Sequence, residues 1–172
     1  MQEKRSAREA RRLSVEGIVQ GVGFRPFVYQ LARTLNLKGQ VANTANGVTI
    51  FLEGLLHDIE SFQQALATQS PPLAHITQVD VEALTPRGYD DCSISPSRQD
   101  AQRRTLISPD VSICNDCKKE LFDPADRRYA DPFINCTNCG PRYTIIDDIP
   151  YDRPKTSMRH FRMCPACQTE YD

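Results

Sequence analysis

Two periodicities alternate along the first half of the chain and predict a small α+β unit. Leu13, Val15 and Val19 alternate loosely with polar positions, which reads as a strand over 13–20. Phe24, Phe27, Val28, Leu31 and Leu35 recur at helical spacing; Pro26 falls in the first turn, where its missing N–H costs nothing, and Gly39 follows the end. Val41 to Ala45 and then Val48, Ile50 and Leu52 predict two strands joined at Asn46-Gly47, a strong hairpin signal. Leu55, Ile59, Phe62 and Leu66 trace a second amphipathic helix closed by Ser70-Pro71-Pro72, and strands resume over 76–84 and near 89–95. With right-handed crossovers, this order is the split βαβ plan: a ferredoxin-like antiparallel sheet with two helices on one face.

Residues 98–110 are polar and aperiodic and predict a linker between a first module at 13–97 and a second at 111–172. Residues 1–12 read as a basic tail. The second module carries a repeat: Cys114-x-x-Cys117-x-x-Glu120-Leu121-x-Asp123 returns 50 residues later as Cys164-x-x-Cys167-x-x-Glu170-Tyr171-Asp172, a second unit cut short.

A chain of 172 residues, 40% of them hydrophobic, can bury a real core in at least one domain. The net charge is -1, and residues 98–172 carry twelve basic and twelve acidic side chains, so no field draws nucleic acid and a nucleic-acid-binding ribbon is the weakest reading. No apolar run approaches the roughly 20 residues of a membrane span, and the first twelve residues lack a signal peptide's apolar centre. The cytoplasm is the expected compartment. There, seven cysteines, six of them in Cys-x-x-Cys pairs, imply metal binding in preference to disulfides.

The spacing Cys114-x2-Cys117-x18-Cys136-x2-Cys139 is that of a four-thiolate zinc site, each pair forming one knuckle, with Gly140 free to take positive φ behind the last sulfur. Four thiolates leave no open position, so the zinc is structural. Cys164 and Cys167 form a possible second half-site: they stay metal-free, pair between chains, or share an earlier pair, and His160 could lend a nitrogen. Cys92, alternating with Ile94 on the last strand, reads as a small buried apolar residue.

The remaining chemistry lies at Gln20-Gly21-Val22-Gly23-Phe24-Arg25. Two glycines let backbone N–H groups converge, the helix start adds its positive end, and Arg25 supplies a full charge: a nest for a small phosphate. The segment lacks the third glycine of a dinucleotide fingerprint and the Lys-Ser/Thr of a P-loop. Asn43, expected on a strand beside the first, could hold a water in line with the phosphorus through its carbonyl oxygen. An acyl phosphate has a good leaving group and its own oxygens to take the proton, so no general base and no cofactor is required for hydrolysis.

Val19 to Arg25 together with Val41-Ala42-Asn43-Thr44 resemble the acylphosphatases over roughly residues 13–97. That resemblance implies Arg25 as the phosphate ligand and Asn43 as the residue that positions the water. Adding Arg127-Arg128-Tyr129, the stretch from Pro132 to Ile145 and the repeated cysteine pairs, nearly the whole chain resembles the HypF-type carbamoyltransferases of NiFe hydrogenase maturation. The resemblance implies carbamoyl phosphate as substrate, cleaved to carbamate and phosphate, and then ATP-dependent transfer to the C-terminal cysteine of a HypE-type partner by later domains. Two readings of other classes stand beside it: a free-standing acylphosphatase with a zinc appendage, and a non-catalytic, zinc-stabilised interaction module.

Overall fold

In a computed structural model, residues 8–96, 106, 109–136 and 138–171 are described. The linker predicted at 98–110 falls mostly outside them. Five strands and two helices build the first module: β1 (Glu9–Ile18), α1 (Phe24–Thr34), β2 (Lys38–Thr44), β3 (Gly47–Gly54), α2 (Leu56–Thr68), β4 (His75–Leu84) and β5 (Cys92–Ile94). The sheet order is β4-β1-β3-β2-β5. Pairing is antiparallel from β4 through β2, but β5 runs parallel to β2, so the sheet is mixed where a wholly antiparallel one was expected. The chain reaches β5 by a crossover and so arrives in the same direction as β2.

A second correction concerns the tail. Residues 9–12 belong to β1, where Arg12 sits opposite Phe51 of β3 and Glu82 of β4. Local charge hid this strand, because Arg11 and Arg12 project at the rim and pair with Glu9 and Glu82.

The core lies between the sheet and the two helices. Phe24, Val28 and Ala32 line one side of α1, and Ile59, Phe62, Ala65 and Leu66 one side of α2. They meet Leu13, Val15, Val41, Ile50 and Leu52. Burying a side chain of this size contributes about 1.5–3 kcal/mol. The opposite face is closed by a device that periodicity does not reveal. Glu53 is 1% exposed, and its carboxylate accepts N–H bonds from Gly88 at 2.9 Å, Tyr89 at 3.2 Å and Arg87. Arg87 also stacks over the Phe51 ring, 4.6 Å from its centroid.

The second module has little regular structure: α3 (Asn115–Phe122), short 3-10 turns at Tyr143–Ile145, Arg153–Lys155 and Ser157–His160, and α4 (Pro165–Tyr171). Its buried apolar cluster is Cys117, Ile134 and Cys139. No helix among the described residues is long and apolar enough to cross a membrane.

Candidate active site and metal centre

The loop between β1 and α1 takes the left-handed backbone that its glycines permit, with φ of 73° at Gly21 and 74° at Gly23. Gly23 is the N-cap of α1, and Arg25 occupies the second helical position. The loop's backbone therefore turns at the helix's positive end, with the guanidinium beside it. Gln20, 4% exposed, ties this loop down: its Nε2 donates to Thr44 O and to Gly47 O, both at 2.8 Å, across the end of the β2–β3 hairpin.

Asn43 lies on β2 opposite Val48 of β3, so β3 separates it from β1. It is therefore two strands from β1 and not on a strand directly beside it, as expected. The split βαβ crossover inserts β3 between them. The loop bridges the gap by leaving β1 and leaning, through Gln20, onto the hairpin end. Asn43 is completely buried, and its Oδ1 has no hydrogen-bond partner among the described residues.

Residues of the second module complete this place. Tyr151 donates its backbone N–H to Gln20 Oε1 at 2.8 Å, and its carbonyl accepts from Asn43 Nδ2 at 3.4 Å. The next residue, Asp152, accepts from Arg25 Nη2 at 2.7 Å; the two side chains are 19% and 24% exposed. Asn43 and Arg25 thus each bond to one of two consecutive residues of the second module. The same stretch touches Gly21, where a Cβ would stand 2.9 Å from Pro141 Cγ and 3.0 Å from Tyr151 Cδ1. These partners are 108 to 131 residues apart in sequence, and no local signal marks Tyr151, Asp152 or Pro141.

The four cysteines 114, 117, 136 and 139 converge, all four sulfurs lying within 4.8 Å of one another. Individual Sγ separations are 3.5 Å for Cys114–Cys136, 3.7 Å for Cys117–Cys139 and 3.8 Å for Cys136–Cys139. A tetrahedral zinc with ~2.3 Å bonds needs edges of about 3.8 Å, so the cage fits. Cys114 caps α3, its sulfur accepting the Cys117 N–H at 3.5 Å. Burial and neighbouring thiols push Cys117 up, and burial also raises Cys136. Burial acts upward on Cys139 too, but backbone amides and Arg142, whose Nη2 donates to the sulfur at 3.0 Å, outweigh it and bring that thiol down to about 6.

Cys164 and Cys167 repeat the local geometry, with the Cys167 N–H 3.4 Å from Cys164 Sγ at the start of α4. Among the described residues no third His, Cys, Asp or Glu joins them, and His160 is exposed. Cys92 is buried in the first module's core, and burial raises its thiol.

Residues 11–94 match the acylphosphatase family and residues 113–146 the HypF finger. Over 150 residues, 87% of its length, the chain is 48% identical to the carbamoyltransferase HypF of Synechocystis sp., of which it spans 19%. Over 87 residues it is 45% identical to the acylphosphatase of Thermotoga maritima, covering 96% of that protein. A crystal structure of full-length HypF, in a phosphate- and nucleotide-bound form, superposes on 96% of the chain with a TM-score of 0.89 at 49% identity, covering 22% of that protein. A superposition of that extent includes both modules in one arrangement. An acylphosphatase domain joined to a HypF finger, with such identity running through both, makes this chain a member of the HypF family.

Proposed function

We propose that the first module hydrolyses carbamoyl phosphate, and that in the full-length family protein this step feeds transfer of the carbamoyl group to a HypE-type partner. Arg25 and the loop amides of residues 20–25 hold the phosphoryl group, and Asn43 holds the attacking water. Water attacks phosphorus as the bond from phosphorus to the acyl oxygen breaks; carbamate leaves with that electron pair, and a phosphate oxygen takes the proton. Preorganised donors around the phosphoryl group stabilise the charge that develops on it.

The observation that carries this reading is the convergence of Arg25 and Asn43 on consecutive residues, with the wholly buried Asn43 keeping Oδ1 as an acceptor. Tyr151 O, by accepting from Nδ2, sets which end of the amide faces the site. The chain spans about a fifth of the length of the relatives it matches; in this reading, adenylation with ATP and transfer to the C-terminal cysteine of the partner fall to other domains of the family. Zinc bound by Cys114, Cys117, Cys136 and Cys139 would supply structural cross-linking only, since the cage is closed by four sulfurs.

Phosphate release from carbamoyl phosphate tests the proposal. The parent chain should turn over, while Arg25→Ala and Asn43→Ala should each lower kcat/KM by at least about a hundredfold. Full activity in either variant would remove that residue from the mechanism. A parent that hydrolyses neither carbamoyl nor acetyl phosphate would refute the reading.

A further inference from the structure

The pairing of Arg25 with Asp152 is unexpected for a phosphate site, because a carboxylate is acceptor-only and repels the ligand the loop is built to hold. Removing the charge would be simple; the fold instead anchors it. Tyr151 is hydrogen-bonded to Gln20 and Asn43, and with Pro141 it fills the space a Cβ on Gly21 would take, so the residue before Asp152 is fixed against the loop. If Arg25 holds the phosphoryl group, a carboxylate on that guanidinium stands next to it, on the side open to the attached acyl group. Two acceptors of the second module thus stand on the two candidate residues: the Asp152 carboxylate on Arg25 and the Tyr151 carbonyl on Asn43.

We infer that Asp152, with the Tyr151 carbonyl, selects the acyl group, and that the group selected is small and carries N–H donors. The inference rests on the hydrolytic reading above. A carbamoyl group presents two N–H bonds on its nitrogen; an acetyl group presents a methyl in the same volume. A carboxylate accepts along about four directions, so the bond from Arg25 is compatible with further donors. A carbamoyl nitrogen against Asp152 replaces the water the carboxylate loses, and the bond is charge-assisted. A methyl strips that water and returns nothing, the circumstance in which polar sites discriminate most strongly. An acyl group bearing its own carboxylate, as in succinyl phosphate, meets a like charge. A bulky one meets Pro141 and Tyr151, which already touch the loop.

The test compares kcat/KM for carbamoyl phosphate and acetyl phosphate on the zinc-loaded full chain and its Asp152→Ala and Asp152→Asn variants. The ratio of two substrates on one sample cancels the fraction of folded protein, so a variant that folds poorly still reports. The parent should favour carbamoyl phosphate by about 10-fold to 100-fold. Asp152→Ala should bring the ratio to within about threefold of unity, and Asp152→Asn, which keeps an acceptor oxygen, should fall between. A ratio unchanged in Asp152→Ala would overturn the assignment. So would equal gains on both substrates with tighter inhibition by inorganic phosphate, which would make Asp152 merely a competing anion. A parent that hydrolyses both substrates equally sinks the selector and leaves the hydrolytic site standing; a parent that hydrolyses neither sinks both.

Discussion

Stripping the metal from the four-cysteine cage should unfold the second module and leave the first one folded. The apolar side chains buried in the second module include Ile134 and Ile145, each 4% exposed, and each contributes about 2 kcal/mol. A four-thiolate zinc contributes about 10 kcal/mol or more at neutral pH. A zinc held there would therefore be the larger part of what orders residues 111–160, where the regular structure among the described residues amounts to one helix of 8 residues and three short turns. The first module keeps its sheet and two-helix core, whose buried cluster is separate from that of the cage among the described residues. Hydrogen exchange followed by mass spectrometry reads the two modules separately. After treatment with a strong chelator, and with metal loss verified by elemental analysis, amides from 113 to 160 should exchange at rates near those of an unfolded chain. Those of β1 and β3 should keep their protection. Protection at residues 20–25 should fall partway, because Gln20, Arg25 and Asn43 lose Tyr151 and Asp152 as partners. Unchanged exchange across 113–160 in verified metal-free protein would refute the claim that zinc holds this module together.

Other consequences follow from single contacts. Gly21→Ala places a methyl 2.9 Å from Pro141 Cγ at a φ of 73°, so it should lose about 1–2 kcal/mol to the left-handed backbone and about 1 kcal/mol more to the contact. Urea denaturation of Gly21→Ala, Pro141→Ala and the double variant should return that second part as a coupling energy, and additive effects would contradict it. Glu53→Ala leaves three backbone donors without their carboxylate and should lower stability by about 3 kcal/mol; a loss under about 1 kcal/mol would mean the 87–89 segment reorganises freely. Zinc uptake at pH 7 should release protons, since the raised thiols of Cys117 and Cys136 must ionise, whereas Cys139, brought down to about 6, is mostly anionic already. Affinity should thus rise with pH, by about two or more powers of ten per unit near neutrality, and calorimetry in buffers of different ionisation enthalpy counts the protons.

The parts of the fold legible in the sequence are those built by short-range pattern. The spacing of Phe24, Val28 and Ala32 and of Ile59, Phe62 and Leu66 defines two helices with one apolar face each, and Asn46-Gly47 marks the hairpin. The four-cysteine cage is legible for the same reason, because each knuckle is local and the chemistry of sulfur names its use. The start of β1 was not, since Glu9, Arg11 and Arg12 form an edge of charges whose strand identity comes only from pairing with β3 and β4. Nor was Glu53, a charged residue that enters the interior because three backbone N–H groups from 34 to 36 residues away meet it there.

The candidate site divides along the same line. Gln20, Gly21, Gly23 and Arg25 could be picked out because a phosphate nest needs glycines, a helix start and a cation within a few residues, and Asn43 because a strand amide can hold a water beside such a nest. Tyr151 and Asp152 carry no such mark. They belong to a module defined by its cysteines, and only the packing of that module on the loop sets a carboxylate 2.7 Å from Arg25 and a carbonyl on Asn43. By itself, the sequence determined which residues are the candidates for a phosphate nest and a metal cage, since those depend on residue type and local spacing. The tertiary structure decided what surrounds the candidate loop, because hydrogen bonds between modules depend on positions in space that no local periodicity encodes.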